Sequence, residues 1–211
     1  MRIDFVSDIA CPWCAVGLHS LEQALTRIGT DIPVELHFQP FELNPTMGPE
    51  GADAAVYLKN KYGMSDEQLV HNRGVIRERG AAVGFAFGDR LRVWNTFDGH
   101  RLLHWAALQG PDYARALKHA LLQAYHGEGR NPGDAAVLQE LAAAVGLDPQ
   151  AATQVLASDA YATEVRAAQS EWQRAGIQSV PAVVINHRHL ISGGQPPEVF
   201  EDALRRVAAE A

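Results

Sequence analysis

The chain has 211 residues, of which 47% are hydrophobic and 20% charged, proportions that are ordinary for a globular protein whose core needs no disulfide staples. Its 18 Lys and Arg stand against 25 Asp and Glu, a formal net charge of −7 without any basic run, so nucleic acid and anionic membranes are poor partner candidates. No stretch approaches the roughly 20 apolar residues of a membrane span, and the first residues lead into a strand without a signal-peptide pattern. We therefore expect a cytoplasmic protein.

The first element is a predicted strand followed by a helix. Ile3 and Phe5 alternate with charged residues, which favours a short strand that ends at Ser7 and Asp8. A helix is then indicated by apolar residues at helical spacing and a glycine stop, namely Leu18, Leu21, Leu25, Ile28 and Gly29. The two cysteines of the chain fall between the strand and the helix.

The motif Cys11-Pro12-Trp13-Cys14 is typical of redox chemistry in this position. A thiol at the first turn of a helix faces unpaired backbone N–H groups and the positive end of the helix dipole, which favour its thiolate. We predict that Cys11 is the nucleophile and that Cys14, one turn further on, is the resolving thiol. Two other roles of a CxxC motif are less favoured here. A zinc site needs about four ligands and the motif offers two, and a purely structural disulfide would close a minimal loop and so stabilise the fold little.

The middle of the chain is predicted to be helical. A second strand, 34–38, carries His37 on its polar side, and irregular residues follow to Pro45. From residue 46 onward the patterns predict only helices, at about 52–62, 65–80, 95–109, 113–124, 134–145, 149 onward and 161–176. Helix starts are predicted by a capping box of Ser65 with Gln68, by a cap at Asp134 and by Asp148-Pro149. The pair His100 and His104 lacks the glutamate of a metalloprotease motif, so we predict no metal site.

Strand patterns return at the end of the chain. Residues 180–186 form a predicted buried strand introduced by Pro181, and 190–192 form its antiparallel partner. Pro196 and Pro197 open a closing helix whose apolar face contains Phe200, Ala203, Leu204 and Val207. The chain is thus an α/β protein in which two β-containing segments bracket a block of helices.

At this point the chain resembles the thioredoxin superfamily, in particular the DsbA-like oxidoreductases of the FrnE type. The motifs that carry the resemblance, in order, are SDIACPWC (7–14), PFELNP (40–45), NTFDGHRLLHWA (95–106), YHGEGRNPGD (125–134), GLD (146–148) and SVPAVVIN through SGGQP (179–196). They span nearly the whole chain.

The resemblance implies a thioredoxin-like fold interrupted by an all-helical insertion domain. The thioredoxin-like domain would comprise 1–45 with the CPWC motif and 160–211 with a cis-proline, and the insertion would comprise 46–159. The bond Val180-Pro181 is implied to be cis and to lie against the cysteine pair, where the backbone of Val180 would pair with an extended substrate segment. Pro12, Trp13, Val180 and Pro181 are therefore expected to shape the active site.

The resemblance also implies an activity, with departures that modify it. DsbA itself has a histidine where this chain has Trp13, and a neutral indole cannot stabilise the Cys11 thiolate as an imidazolium does. We therefore expect a less oxidising couple that acts as a disulfide reductase or isomerase in a reducing cytosol. The expected partners are disulfide-containing proteins or small thiols, for a monomer or homodimer. The redox-active Cys11–Cys14 disulfide would serve in place of a bound cofactor, with glutathione open as co-substrate.

Two alternatives stay open at this stage. One is a glutathione-dependent isomerase or transferase of the kappa-class branch, although that branch usually carries serine in place of Cys11. The other is a redox-linked holdase chaperone with an adaptable apolar surface made by Met47, Met64, Phe85, Phe87 and Trp94. Three residues are candidates for positions next to the active site: Asp8, Asn95 and His100. Asn95 and His100 could equally serve only in the packing of their helix.

Overall fold

A computed structural model describes residues 1–210 of the chain. Its strands are β1 (Arg2–Ser7), β2 (Glu35–Pro40), β3 (Ala52–Asp53), β4 (Arg92–Val93), β5 (Ala182–Ile185) and β6 (His189–Ser192). Its helices are α1 (Pro12–Ile28), α2 (Ala54–Tyr62), α3 (Asp66–Ala82), α4 (Phe97–Gln109), α5 (Pro111–Leu122), α6 (Ala135–Ala144), α7 (Pro149–Leu156), α8 (Ala162–Arg174) and α9 (Pro197–Ala209). A π-helical turn, Gln123–Gly127, continues α5.

The central sheet has four strands in the order β2-β1-β5-β6, so the first and last segments of the chain meet at its centre. β1 pairs in parallel with β2 and antiparallel with β5, and Phe5 is opposite both Phe38 and Val183. β6 returns antiparallel to β5, as the sequence predicts. This pairing places the carboxyl end of β1, and therefore the cysteine motif, beside Pro181.

Helices cover both faces of this sheet. Ile3 and Phe5 pack on one face against the buried sides of α1 and α9, and the predicted apolar face of α9 is confirmed. On the opposite face, Val6 and Val184 contact Trp172 of α8. Each apolar side chain buried here contributes about 1.5–3 kcal/mol, so the two layers together fix the position of the cysteine motif.

Between β2 and β5 the helices α4 to α7 form a core of their own. Its buried members include Leu102, Leu117, Leu121, Tyr125 and Leu138. The predicted caps are present, because Ser65 and Gln68 form a capping box on α3 and the carboxylates of Asp134 and Asp148 accept backbone N–H bonds at α6 and α7. The thioredoxin-like fold and its interruption by helices are confirmed, with the difference that the segment expected to be all-helical also contains the two-residue strands β3 and β4. The boundaries at 45 and 160 stay a prediction.

Several bounds differ by about two residues from those that the sequence predicts, such as α5, predicted over 113–124, and β5, predicted over 180–186; two of the differences have a local cause. The helix predicted from about 52 starts at Ala54, because Ala52 pairs with Val93 in a two-stranded ladder and the Asp53 side chain caps the helix. α4 starts at Phe97 and not at Asn95, because the Asn95 side chain accepts the N–H of Phe97 over 2.8 Å and so precedes the helix. Within residues 1–210, none of the helices has both the length and the apolarity that crossing a bilayer requires.

Candidate active site around the cysteine pair

Cys11 is the N-cap residue of α1, with Pro12 at the first helical position. Its backbone is extended (φ −90°, ψ 115°), and its side chain is 5% exposed. Cys14 lies one turn further along the helix, is 0% exposed, and its N–H donates to the Cys11 carbonyl over 3.0 Å. Both residues are free thiols, and only Cys11 reaches the surface.

The two thiols have opposite pKa shifts. A hydrogen bond from the Cys14 thiol lowers the pKa of Cys11, helped by backbone N–H groups of Cys14 and Trp13 at the helix start. Burial, together with the neighbouring Cys11, raises the pKa of Cys14 well above its ordinary value. The negative charge of the pair is therefore favoured on the sulfur that solvent can reach.

Val180 and Pro181 face the cysteine pair from the start of β5. The Cys11 thiol donates to the Val180 carbonyl oxygen at 3.5 Å, and the Val180–Pro181 bond is cis, as the resemblance implies. Pro181 packs closely on α1, since a Cβ atom on Gly17 would lie 3.0 Å from Pro181 Cγ. Gly194 approaches the carbonyl oxygen and ring of Trp13, so both glycines allow close contact between α1 and the β5–β6 region.

Asp8 lies beneath the motif and is fully buried. Its carboxylate accepts hydrogen bonds from the Thr96 hydroxyl (2.8 Å) and from the backbone N–H groups of Ala10 (3.0 Å) and Leu43 (2.6 Å), and His100 Nε2 lies 3.4 Å away. Burial alone would raise the pKa of Asp8, but these donors, with His100 the strongest, hold that pKa below its ordinary value. Asp8 is thus a buried anion that joins β1 to α4.

The two carbonyl groups that precede Cys11 are held by side chains from the helical segment. His126, in the π-helical turn, donates from Nε2 to the Ile9 oxygen at 2.8 Å, and Arg90 Nη1 donates to the Ala10 oxygen at 2.8 Å. The Arg90 guanidinium also lies 5.4 Å from the Tyr125 ring centre. Burial, with the charge of Arg90, lowers the pKa of His126 to about 3, so the imidazole is a neutral donor.

A buried ammonium group completes the site. Lys118 of α5 is 1% exposed. Burial lowers its pKa, while the charges of Cys14, Asp8 and Cys11 act in the opposite direction. The charge of Lys118 in turn lowers the pKa of Cys14. The interior side of the cysteine pair therefore contains one anion, Asp8, directly after β1, and one cation, Lys118, from the helical segment.

A model of the DSBA-like thioredoxin domain matches residues 2–205 of the chain. The chain belongs to this DSBA-like family. Its fold overlays on the probable DsbA oxidoreductase SCO1869 from Streptomyces coelicolor with a TM-score of 0.93, at 38% identity over 100% of this chain and 91% of that one. The membership makes it a thioredoxin-fold protein of an oxidoreductase family.

The DSBA-like chain is also similar to one further protein in sequence and to one further protein in fold. The uncharacterized protein YwbO of Bacillus subtilis is 28% identical over 209 residues, 97% of this chain and 96% of its own. The cytosolic disulfide reductase DsbM of Pseudomonas aeruginosa, solved with glutathione, has a TM-score of 0.68 at 18% identity over 99% of this chain and 100% of its own, and shows the shared fold.

Asp8, Asn95 and His100 were predicted to surround this DSBA-like site, and the structure places only two of them there. Asp8 and His100 meet beneath the cysteines, whereas the Asn95 side chain donates to the Met47 carbonyl at 2.9 Å and serves the start of α4. His104 stacks near Tyr161, with ring centres 5.3 Å apart. Within the part of the chain that the structure describes, no group of three or more His, Cys, Asp or Glu is arranged to hold a metal ion.

Sequence analysis missed Lys118, Arg90 and Thr96, and it offered no role for His126. For Lys118 a signal was present, because it occupies the apolar face of α5 together with Ala114, Leu117, Leu121 and Leu122, where a charge is costly unless paired. Arg90 lies in an irregular segment between α3 and β4, where no periodicity indicates which side chains point inward.

Proposed function

We propose that this chain is a thiol–disulfide oxidoreductase that exchanges disulfides through the Cys11 and Cys14 dithiol. The observation that carries the proposal is the geometry of the two thiols, with Cys11 at the N-cap of α1 and 5% exposed and Cys14 one turn further on and 0% exposed; the opposite directions of their pKa shifts agree with it. An accessible thiol with a lowered pKa is suited to attack, and a buried thiol with a raised pKa stays protonated until the first step has occurred. The Val180 carbonyl beside Cys11 supports an approach of substrate along β5.

The proposed exchange has two steps. The Cys11 thiolate attacks one sulfur of a substrate disulfide, and the other substrate sulfur leaves as a thiolate that takes a proton from water. Cys14 then loses its proton and attacks the Cys11 sulfur, which forms the Cys11–Cys14 disulfide and releases the second substrate thiol. The charge of Lys118 favours the Cys14 thiolate in this second step. Two electrons pass from the protein dithiol to the substrate.

We further propose that the couple is only weakly oxidising, so that reduction or isomerisation is its main direction. Trp13 is neutral and adds no positive charge beside Cys11, and the Asp8 carboxylate opposes the hydrogen bonds that lower the pKa of Cys11. A strongly oxidising couple depends on a stabilised reduced form. Disulfide-containing proteins or small disulfides are the proposed substrates, with glutathione as co-substrate.

The reduction potential of the Cys11/Cys14 pair tests this proposal. The reduced protein is equilibrated in glutathione buffers, and thiol alkylation with mass spectrometry gives the oxidised fraction. We expect a value near or below about −230 mV, in the range of glutaredoxins and thioredoxin. Trp13→His is the matched variant, and we expect it to raise the potential by about 30 mV or more, equivalent to tenfold in the exchange equilibrium.

Three results would contradict the proposal at different levels. A value near about −120 mV would indicate a DsbA-like oxidant and reverse the proposed direction. The absence of a reversible two-electron transition would exclude dithiol exchange. Saturable glutathione binding and turnover of a small electrophile that survive Cys14→Ser would favour the glutathione-dependent isomerase or transferase instead.

A further inference from the structure

A cavity of about 570 Å³ opens beside Cys11. Its floor includes Cys11, Trp13 and Val180, and its walls come from α2, α3 and the segment 87–93. This volume lies in the usual range of small-molecule sites, which is about 300–1,000 Å³. Because the nucleophilic sulfur lies at its floor, a molecule bound in the cavity is in reach of the exchange chemistry.

The wall of the cavity is mainly apolar and aromatic. Its apolar side chains include Leu43, Tyr57, Leu58, Met64, Ile76 and Phe87. At the rim, Tyr62 is 51% exposed and Leu91 71% exposed, although both are large apolar residues that gain from burial. These exposed rim residues would be covered by a ligand with an apolar body.

The cavity is positive in a chain whose formal net charge is −7. Three guanidinium groups line it, those of Arg73, Arg77 and Arg90, against the single carboxylate of Asp89. Arg77 is paired with Asp89 at 2.6 Å and Arg90 is bonded to the Ala10 carbonyl, so each has a partner already. Arg73 is exposed, and no carboxylate within residues 1–210 lies at ion-pair distance from it.

We propose that this cavity binds a low-molecular-mass disulfide that has an apolar, preferably aromatic, body and a carboxylate. The apolar body would lie against the walls of α2 and α3, and the carboxylate would pair with Arg73, which leaves the disulfide over Cys11. This inference rests on the proposed function and names its substrate class. Because the nucleophile at the floor of the cavity is only 5% exposed, a compact molecule fits the site better than a chain segment with bulky flanks.

The reaction balances without a further reactant. The protein dithiol and the disulfide R–S–S–R give the Cys11–Cys14 disulfide and two R–SH molecules, so two electrons and two protons pass to the substrate. A single turnover of the reduced protein therefore measures recognition, and no recycling reductant is needed.

The test compares three disulfides in stopped-flow experiments with the fully reduced protein. 5,5′-Dithiobis(2-nitrobenzoate) is aromatic and anionic, 4,4′-dithiodipyridine is aromatic and neutral, and oxidised glutathione is anionic without a large apolar body. Each rate constant is divided by that of the same disulfide with a short peptide containing CPWC, which removes differences in intrinsic reactivity. We expect the normalised rate to be highest for the aromatic dicarboxylate.

Two variants locate the recognition. Arg73→Gln should lower the normalised rate of the dicarboxylate about tenfold, as expected for loss of one charge-assisted pair, and leave that of dithiodipyridine within about twofold. Leu58→Gln should slow both aromatic disulfides and spare oxidised glutathione. Arg188→Gln, in the β5–β6 turn at the other end of the sheet, removes the same charge from an exposed position and should change none of the rates.

The inference is wrong if Arg73→Gln and Arg188→Gln have equal effects, because the charge effect would then be general. It is also wrong if the three normalised rates are equal, or if the disulfides of unfolded proteins, normalised in the same way, react faster than all three. Failure of the proposed function looks different, since then dithiodipyridine would not oxidise Cys11 and Cys14 to a disulfide at all.

Discussion

The two sides of Cys11 differ in how deeply their side chains are buried and in how many polar partners those side chains have. On the interior side, Cys14, Asp8 and Lys118 are at most 1% exposed, and the carboxylate of Asp8 has several donors. On the cavity side, Tyr62 and Leu91 are more than half exposed, and Arg73 is exposed. The charges beside the thiols are therefore fixed by packing, whereas the side chains that the proposed substrate would contact are not packed before it binds.

The largest effect should come from Cys14→Ser, which removes the resolving thiol from the interior side of Cys11. We expect multiple-turnover disulfide reduction to fall by more than about a hundredfold, because the mixed disulfide on Cys11 loses its resolving thiol. Mass spectrometry of the protein after a single turnover should then show the substrate attached to Cys11. Cys11→Ser serves as the control and should form no adduct; an adduct on that variant would reverse the assignment of the two thiols.

Lys118→Met tests whether the buried cation assists resolution. The side chains are similar in length, so packing is largely kept, while the charge that favours the Cys14 thiolate is lost. We expect the apparent pKa of the resolving step to rise and its rate at pH 7 to fall about tenfold. A pH series of the second stopped-flow phase measures this. If the pH dependence of the resolving step is unchanged while the free energy of unfolding measured in urea is altered, Lys118 has only a packing role.

Asp8→Asn tests the stability that the interior side contributes. The pKa of Asp8 is lower in the folded chain than in the unfolded one, so its stabilising effect is complete above about pH 4 and is lost as pH falls through the folded value. We expect the variant to lose about 2 kcal/mol of unfolding free energy at neutral pH. Urea titrations across pH should show this difference shrinking in acid.

The matched control is Asp31→Asn, because Asp31 is exposed in the turn after α1. A difference between Asp8→Asn and the unaltered protein that stays constant down to pH 3 would show that the charge of Asp8 contributes nothing, and that only its hydrogen-bonding shape matters.

The last contrast comes from two glycines, one in α1 and one in α3, and the smallest expected effect belongs to the second. A methyl group on Gly17 would meet Pro181 at 3.0 Å, so Gly17→Ala should destabilise the fold by about 1–3 kcal/mol. Gly74 lies in α3 with open space around it, so Gly74→Ala should stabilise by about 0.5–1 kcal/mol. Thermal unfolding of both variants measures the contrast. Equal shifts of the same sign would mean that α1 adapts as freely as the cavity wall.

Local patterns in the sequence predicted much of this fold. The capping box at Ser65, the alternation in β1 and the apolar face of α9 each depend on residues within a few positions of one another, and each is present in the structure. The two-residue strands β3 and β4 are too short to show a period, and they form because Ala52 and Val93 meet across about forty residues of chain.

In the active site, too, the features set by neighbouring residues could be predicted from the sequence, and those set by distant residues could not. Cys11 and Cys14 are only three positions apart in the sequence, and their place at a helix start follows from the strand and helix around them. The meeting of Asp8 with His100 and Thr96 joins residues about ninety positions apart, so no local pattern could show it. Lys118 is intermediate, because its place on an apolar helix face marks it as unusual without indicating its partners.

The two donors that hold the carbonyl oxygens of Ile9 and Ala10 have a consequence for engineering. His126 and Arg90 both come from the helical segment between β2 and β5. Exchanging that segment for one from a relative, or deleting it to make a minimal scaffold, would leave two buried carbonyl groups without donors directly ahead of the nucleophile. A chimera would therefore need both donors transplanted with it, since unmet carbonyls there would move the loop that carries Cys11.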